Sequence, residues 1–266
     1  LKTLGLKIDK TNNVWEVFGT GIGNLSGSNY RLNMGNSGTG SRLMMGLIAG
    51  CDVEATISGD ISLSKRPMKR IILPLSKTGA IFENPNNGFL PVTIKGSKIP
   101  LPIEYTSPVA SAQIKSSILL TGLSSTGNTT VIEPTLSRDH TERMLKYFGA
   151  NISSTKMPDS SWKINLEGLP VLKPFDIEIP SDPSSAAFPI VASLITPNSN
   201  IKVLNVCVND LRIGLYQSLI EMGANISFSN RRQINGEPIA DISASYSILN
   251  GITIPETRVA SMIDEY

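Results

Sequence analysis

A repeat constrains this chain more than any other feature. Four segments join an apolar helix end to a glycine and a strand-like run: LKTLGLKI at Gly5, LSKTGAIF at Gly79, LKYFGANI at Gly149 and IEMGANI at Gly223. The glycines are 74, 70 and 74 residues apart. Glycine suits a helix end because, lacking Cβ, it enters the left-handed region without a clash. Near-equal spacing over the whole chain points to one structural unit used several times.

A second signal recurs in the same phase. Small polar residues precede an apolar run in GNSGTGSRLMMGLIAG from Ser37, SAQIKSSILLTGL from Ser111 and SSAAFPIVASLI from Ser184, at intervals of 74 and 73 residues. Each is expected to start a helix, since Ser and Asn side chains satisfy the free N–H groups of a first turn. Leu43, Met44, Leu47 and Ile48 in the first run, and Ile114, Ile118 and Leu119 in the second, predict helices apolar all round and therefore buried. Runs such as ATISGDISL, PVTIKG and GNTTVIEP read as strands. One unit of about 73 residues thus reads strand, strand, buried helix, strand, strand, helix, an α/β (α+β) fold.

The chain of 266 residues, 40% hydrophobic and 17% charged, can bury a large core. Its 24 basic and 22 acidic residues nearly balance, which argues against a nucleic-acid or membrane-surface binder. Any basic site must be local. Cys51, Cys207 and the single His140 form no CxxC or Cys/His motif, so neither a metal nor a redox site is expected. The thiols are expected to be buried in a reducing compartment. With no apolar run near ~20 residues and no signal sequence, a cytoplasmic protein is expected. The chain opens without Met on a helix end and closes at ASMIDEY, where Ser261 falls 77 residues after Ser184. It is expected to be a fragment that begins and stops within a repeat.

GNSGTGSR, residues 35–42, has the glycine spacing of a nucleotide P-loop, but Ser41 and Arg42 stand where Lys and then Ser or Thr are needed. It has three glycines in six residues at a helix start, where free N–H groups and the dipole favour an anion. Arg66, in SKRPMKR, and Arg138, in SRDHTERML, supply guanidinium groups suited to phosphate or carboxylate.

With these stretches in view, the chain resembles the enolpyruvyl transferases, and among them the EPSP synthase (3-phosphoshikimate 1-carboxyvinyltransferase) family of the bacterial class II type. The matching stretches are GNSGTGSRLMMGL, SGDISLSKRPM, SPVASAQIKSSILLTGL, SRDHTERML, PSDPSSAAFPIVASL and ASMIDEY, in family order. The resemblance implies an inside-out α/β barrel of repeated units. Most of a first domain would fill residues 1–180, and a cut second domain residues 181–266. It implies transfer of enolpyruvyl from phosphoenolpyruvate to the 5-hydroxyl of shikimate 3-phosphate in aromatic amino acid biosynthesis. No cofactor or metal is implied, and the whole protein would be a monomer.

Residue by residue, the resemblance assigns Ser111, Ala112, Gln113, Ser137 and Arg138 to shikimate 3-phosphate. Gly38, Arg66 and Gln113 are assigned to phosphoenolpyruvate, with Asn36, Thr39 and Arg42 as the supporting loop. Asp264 is implied as the proton acceptor for the attacking hydroxyl and as a contact to shikimate 3-phosphate. Gly38 in place of Ala implies glyphosate sensitivity in a completed enzyme. The family's N-terminal Lys-Ser-Arg cluster and C-terminal Lys, Glu and Arg positions find no match here, so the chain alone is expected to be inactive. Two alternatives stand beside this reading. One is a non-catalytic, anion-binding remnant of a decayed gene. The other is a UDP-N-acetylglucosamine enolpyruvyl transferase, which Ile61 disfavours by standing where that family has a reactive Cys.

Overall fold

The repeated glycines end helices as the sequence predicts. Gly5, Gly79, Gly149 and Gly223 have φ of 85°, 96°, 92° and 95°. Gly79, Gly149 and Gly223 donate their N–H groups to the carbonyls of Ser76, Lys146 and Ile220, closing the last turn. The structure is a computed structural model describing residues 1–83 and 87–266.

In chain order, a hairpin of β1 (Ile8–Thr11) and β2 (Val14–Val17) precedes β3 (Ser26–Asn33), α1 (Gly38–Ala49) and β4 (Asp52–Ser58). The one-turn α2 (Ile61–Ser64) leads to α3 (Lys69–Ser76), β5 (Ile81–Glu83) and β6 (Val92–Lys95). Next come β7 (Glu104–Thr106), α4 (Ala112–Gly122), β8 (Asn128–Glu133), α5 (His140–Tyr147), β9 (Ile152–Lys156) and β10 (Trp162–Glu167). The last run is α6 (Pro183–Ile195), β11 (Asn200–Cys207), α7 (Gly214–Glu221), β12 (Asn225–Ile234) and β13 (Glu237–Ser245). Two 3₁₀ turns, Glu256–Ser261 and Ile263–Glu265, follow it.

The sheets repeat with the chain. One has the order β3-β4-β6-β5, with β3 and β4 parallel and the other pairs antiparallel. The next, β7-β8-β10-β9, has the same directions. The third, β11-β13-β12, is antiparallel, and a single parallel bridge from Ser181 to Val206 stands where its leading strand would be. The unit therefore reads strand, buried helix, strand, helix, strand, strand. This corrects the expected arrangement, in which two strands followed the buried helix. The error lies in GDISL: it forms α2, because Asp60 caps that turn by accepting the Leu63 N–H at 2.7 Å. Short apolar runs do not distinguish strand from helix by period.

The chain forms two compact units, Leu1–Thr135 with Ala150–Leu172, and Leu136–Gly149 with Lys173–Tyr266. Residues 136–149 and 173–180 fall in the second unit, although both lie inside the stretch 1–180 assigned above to the first domain. In the first unit, α1 and α4 approach backbone to backbone. A Cβ on Gly46 would lie 2.3 Å from the Ser117 carbonyl oxygen, so no larger residue fits. Thr121 Oγ1 donates to the Gly46 carbonyl at 2.7 Å and Ser117 Oγ to the Arg42 carbonyl at 3.0 Å, which satisfies hydroxyls inside the contact. Met45, Ile48, Ile71, Ile114 and Ile118 fill the core beside them.

Burial of these helices differs in detail from the expectation. In α4 every residue from Ile114 to Leu119 is buried, polar ones included, whereas Leu43, Met44 and Leu47 of α1 are only half-buried. The α6 helix is not buried all round, since Phe188 and Ile195 are exposed. Its other face, with Ile190 and Leu194, joins Val206, Tyr216 and Ile242 in the core of the second unit. Among the described residues no helix is long and apolar enough to cross a membrane.

Candidate functional site

In the first unit, the start of α1 is built as its sequence suggests. Ser37 is the N-cap and accepts the Gly40 N–H at 3.1 Å, and Gly38 opens the helix. Asn36, just outside the cap, donates to Asp60 Oδ2 at 2.6 Å and accepts from Arg66 Nη2 at 3.0 Å. First the Leu63 N–H, then the Asn36 amide, hold the Asp60 carboxyl below its usual value. Asp60 thus fixes Asn36, and Asn36 holds Arg66 beside Gly38. Ser111 caps α4 in the same way, accepting the Ile114 N–H at 3.5 Å, with Ala112 its first residue.

Gln113, in the first turn of α4, joins the two helix starts. Its Nε2 donates to Thr39 Oγ1 at 2.8 Å, and its Oε1 accepts from Arg42 Nη1 at 2.7 Å and Arg70 Nη2 at 3.4 Å. Arg42 is buried and also reaches the Pro67 carbonyl at 3.4 Å. Burial above all, then the charges of Arg70 and Arg66, brings the Arg42 guanidinium down to about 10, so it remains charged at neutral pH. Its Nε is buried with no hydrogen-bond partner. Among the described residues, no carboxylate forms an ion pair with Arg42, Arg66 or Arg70. Three like charges held together by neutral acceptors, beside two helix N-termini, make a strongly anion-attracting surface.

The structure thus brings together Asn36, Gly38, Thr39, Arg42, Arg66 and Gln113, as the sequence reading expects. It adds Arg70, which sequence reasoning missed. The only available signal was its place in KRPMKR, four residues after Arg66, where it reads equally as a solvated helix charge. A Cβ on Gly38 would lie 3.0 Å from Arg66 Nη1 and 3.3 Å from Arg42 Nη1. Ile61 opens α2 with an exposed side chain.

The second unit holds the remaining candidates. Arg138 Nη1 lies 2.9 Å from Asp264 Oδ2, and Arg212 Nη1 lies 3.3 Å from the same oxygen. Arg212 Nη2 also meets Asp182 Oδ1 at 2.9 Å and Ser184 Oγ at 2.8 Å, and Ser184 Oγ bonds to Glu265. Asp264, two residues from the chain end, is therefore bracketed by two guanidiniums. Arg212 was not foreseen, because nothing in VNDLRIGL separates it from a surface charge.

Two helix starts here differ from the sequence reading. The cap of α6 is Asp182, not Ser184: it accepts the Ser185 N–H at 2.9 Å, and Pro183 takes the first helical position, where its missing N–H costs nothing. Burial opposes the Asp182 carboxylate, but the Ser185 hydroxyl and N–H and then Arg212 outweigh it and hold its carboxyl below the usual value. Ser137 does not cap α5, which begins at His140; Ser137 is buried in the loop before it, beside Arg138.

Residues 1–266 match the profile of the family described as EPSP synthase (3-phosphoshikimate 1-carboxyvinyltransferase). The chain belongs to the EPSP synthase family. A 3-phosphoshikimate 1-carboxyvinyltransferase of Parvibaculum lavamentivorans is 51% identical over 100% of this chain and 59% of its own length. That of Rhodopseudomonas palustris is 50% identical over 100% of this chain and 60% of its own. Among solved structures, an EPSP synthase from Acinetobacter baumannii superposes with a TM-score of 0.84 at 41% identity, covering 99% of this chain and 60% of the other. The mixed α/β fold is thus that of EPSP synthase structures. The chain spans about 60% of the length of the EPSP synthase relatives it matches.

Proposed function

We propose that the chain is part of an enzyme that transfers enolpyruvyl from phosphoenolpyruvate to the 5-hydroxyl of shikimate 3-phosphate, with release of phosphate. The observation that carries this reading is the cluster in which Arg42 and Arg70 meet Gln113 and Arg42 and Arg66 flank Gly38. Among the described residues none of the three forms an ion pair, and Asn36 stands between Arg66 and the Asp60 carboxylate that acts on it. Phosphoenolpyruvate carries a phosphate and a carboxylate. Two planar donor forks beside a side-chain-free helix start suit that pair of anions.

In this reading Gly38, Arg66 and Gln113 hold phosphoenolpyruvate, Asn36 and Thr39 fix the loop, and Arg42 and Arg70 supply charge. Ser111, Ala112 and Gln113 of the first unit, and Ser137 and Arg138 of the second, are assigned to shikimate 3-phosphate. Asp264 accepts the proton of the attacking hydroxyl. The hydroxyl oxygen adds to C2 of phosphoenolpyruvate while C3 takes up a proton, giving a tetrahedral intermediate with a methyl group. Loss of one methyl proton together with the C–O bond to phosphate restores the vinyl group and releases phosphate. The guanidiniums act by stabilising the charge on the phosphate as it leaves.

Isothermal titration of the 266-residue chain with each substrate tests the reading. Saturable binding of phosphoenolpyruvate or shikimate 3-phosphate supports it. Binding of neither, or preference for UDP-N-acetylglucosamine, would sink it. Gly38→Ala sharpens the test, because the new methyl would press on the Arg66 and Arg42 guanidiniums, which must give by a few tenths of an ångström, and would occupy space beside the helix start. Its dissociation constant for phosphoenolpyruvate is expected to rise about tenfold, or about 1.4 kcal/mol. An unchanged constant in a folded variant would show that Gly38 does not border the ligand.

A further inference from the structure

We propose that His140, Cys207 and Glu237, in the second unit, form a binding site for a divalent transition-metal ion of the Zn²⁺ type. The inference is independent of the enolpyruvyl-transfer reading. The three residues come from separate elements: His140 opens α5, Cys207 ends β11 and Glu237 opens β13. Their donor atoms all lie within 4.8 Å of one another. His140 Nδ1 is 2.7 Å from Glu237 Oε1, and Cys207 Sγ is 3.8 Å from Glu237 Oε2.

This set matches the ligand chemistry of zinc: one imidazole, one thiol and one carboxylate, with a fourth position left for water. Bonds of about 2.0–2.3 Å in a tetrahedron need donor–donor distances of roughly 3.3–3.8 Å. The Cys207–Glu237 pair already has that separation. That distance is to Glu237 Oε2, whereas His140 Nδ1 bonds Oε1, so the half-exposed His140 ring must give up this hydrogen bond and turn when the ion takes one oxygen. The three donor atoms, all within 4.8 Å of one another, need shifts of about an ångström. A cavity of about 50 Å³, lined by His140, Met144, Tyr147, Ile179 and Glu237 among others, borders two of the three ligands, His140 and Glu237. That is enough for the water that would complete the shell, whose share of liquid volume is about 30 Å³.

The surroundings orient the ligands as outer partners do in metal sites. Asn209 Nδ2 donates to Asp139 Oδ1 at 2.7 Å and to Glu237 Oε2 at 3.3 Å. Arg143 Nη1 donates to the Gly236 carbonyl at 2.9 Å, which fixes the turn before Glu237. Arg143 is the charge that opposes a cation, at 3.9 Å from Glu237, but it is closer to Asp139, at 2.9 Å, which offsets it. Arg212, the other cation that acts on Cys207, is held by Asp182 and Asp264. Burial pushes the Cys207 thiol up, so without a metal it keeps its proton. Binding therefore replaces the S–H bond by a metal–sulfur bond and releases one proton to solvent.

Co²⁺ is the probe. Titrated into the reduced, metal-stripped 266-residue chain, it is expected to bind one equivalent. The expected signature is a thiolate-to-cobalt charge-transfer band together with intense tetrahedral d–d bands, both bleached by Zn²⁺. Cys207→Ala should abolish the charge-transfer band, and His140→Gln should weaken binding at least about tenfold. Cys51→Ala should leave the spectrum unchanged. Circular dichroism establishes that each variant is folded. Absence of the band at stoichiometric Co²⁺, or its survival in folded Cys207→Ala, overturns the proposal.

Discussion

Lys115→Met is expected to destabilise the first unit by about 3–5 kcal/mol. Lys115 Nζ lies 2.9 Å from Glu133 Oε1, and the two side chains are 0% and 1% exposed. The substitution keeps the volume and removes the ammonium that Glu133 Oε1 faces across this buried pair. A urea titration followed by tryptophan fluorescence reads the change directly. Both tryptophans, Trp15 and Trp162, are in the first unit, and Trp162 stands across the β-ladder from Glu133. The double variant Lys115→Met with Glu133→Leu should regain most of the loss, since replacing a whole buried pair by apolar residues is often nearly neutral. A single variant that unfolds within about 1 kcal/mol of the parent would show that the pair contributes little.

Arg42→Gln is expected to cost about 2–3 kcal/mol of anion binding, roughly 30- to 150-fold in the dissociation constant for phosphoenolpyruvate. The larger share comes from losing a charged donor in a site where burial reduces solvent screening. Arg42→Lys should fall between, keeping the charge but losing the fork. The pH dependence has a definite sign. The group is a cation brought down to about 10, so parent binding should hold from pH 7 to 9 and fall as pH rises through about 10. Arg42→Gln should lose that limb of the profile. Equal affinities for parent and variant by titration calorimetry would remove Arg42 from the site.

The candidate site was legible where a residue's role depends on its neighbours in sequence. Ser37 and Ser111 cap helices because a hydroxyl three residues before an N–H can reach it, and that distance is set within one turn. Gly38 was legible for the same reason. Ser184 was misread because Asp182 and Pro183 form a stronger start two residues earlier. Arg70 and Arg212 were missed because their partners, Gln113 and Asp264, are 43 and 52 residues away. The arrangement of strands was misread at GDISL, where one side-chain hydrogen bond from Asp60 decides between strand and helix.

The chain by itself determined the glycine-capped helix ends, the capping serines of α1 and α4 and its family, because glycine φ preferences, capping hydroxyls and motif spacing act over a few residues. Tertiary structure alone decided which distant groups meet. It brought Arg42 and Arg70 onto Gln113, neither of them in an ion pair with a carboxylate among the described residues, and buried Lys115 against Glu133. It also placed the single histidine, which no sequence motif links to a metal, beside Glu237 and Cys207. The reason is physical: charge and metal chemistry act through distances of a few ångströms in space, and the folded sheets, not the order of residues, set those distances.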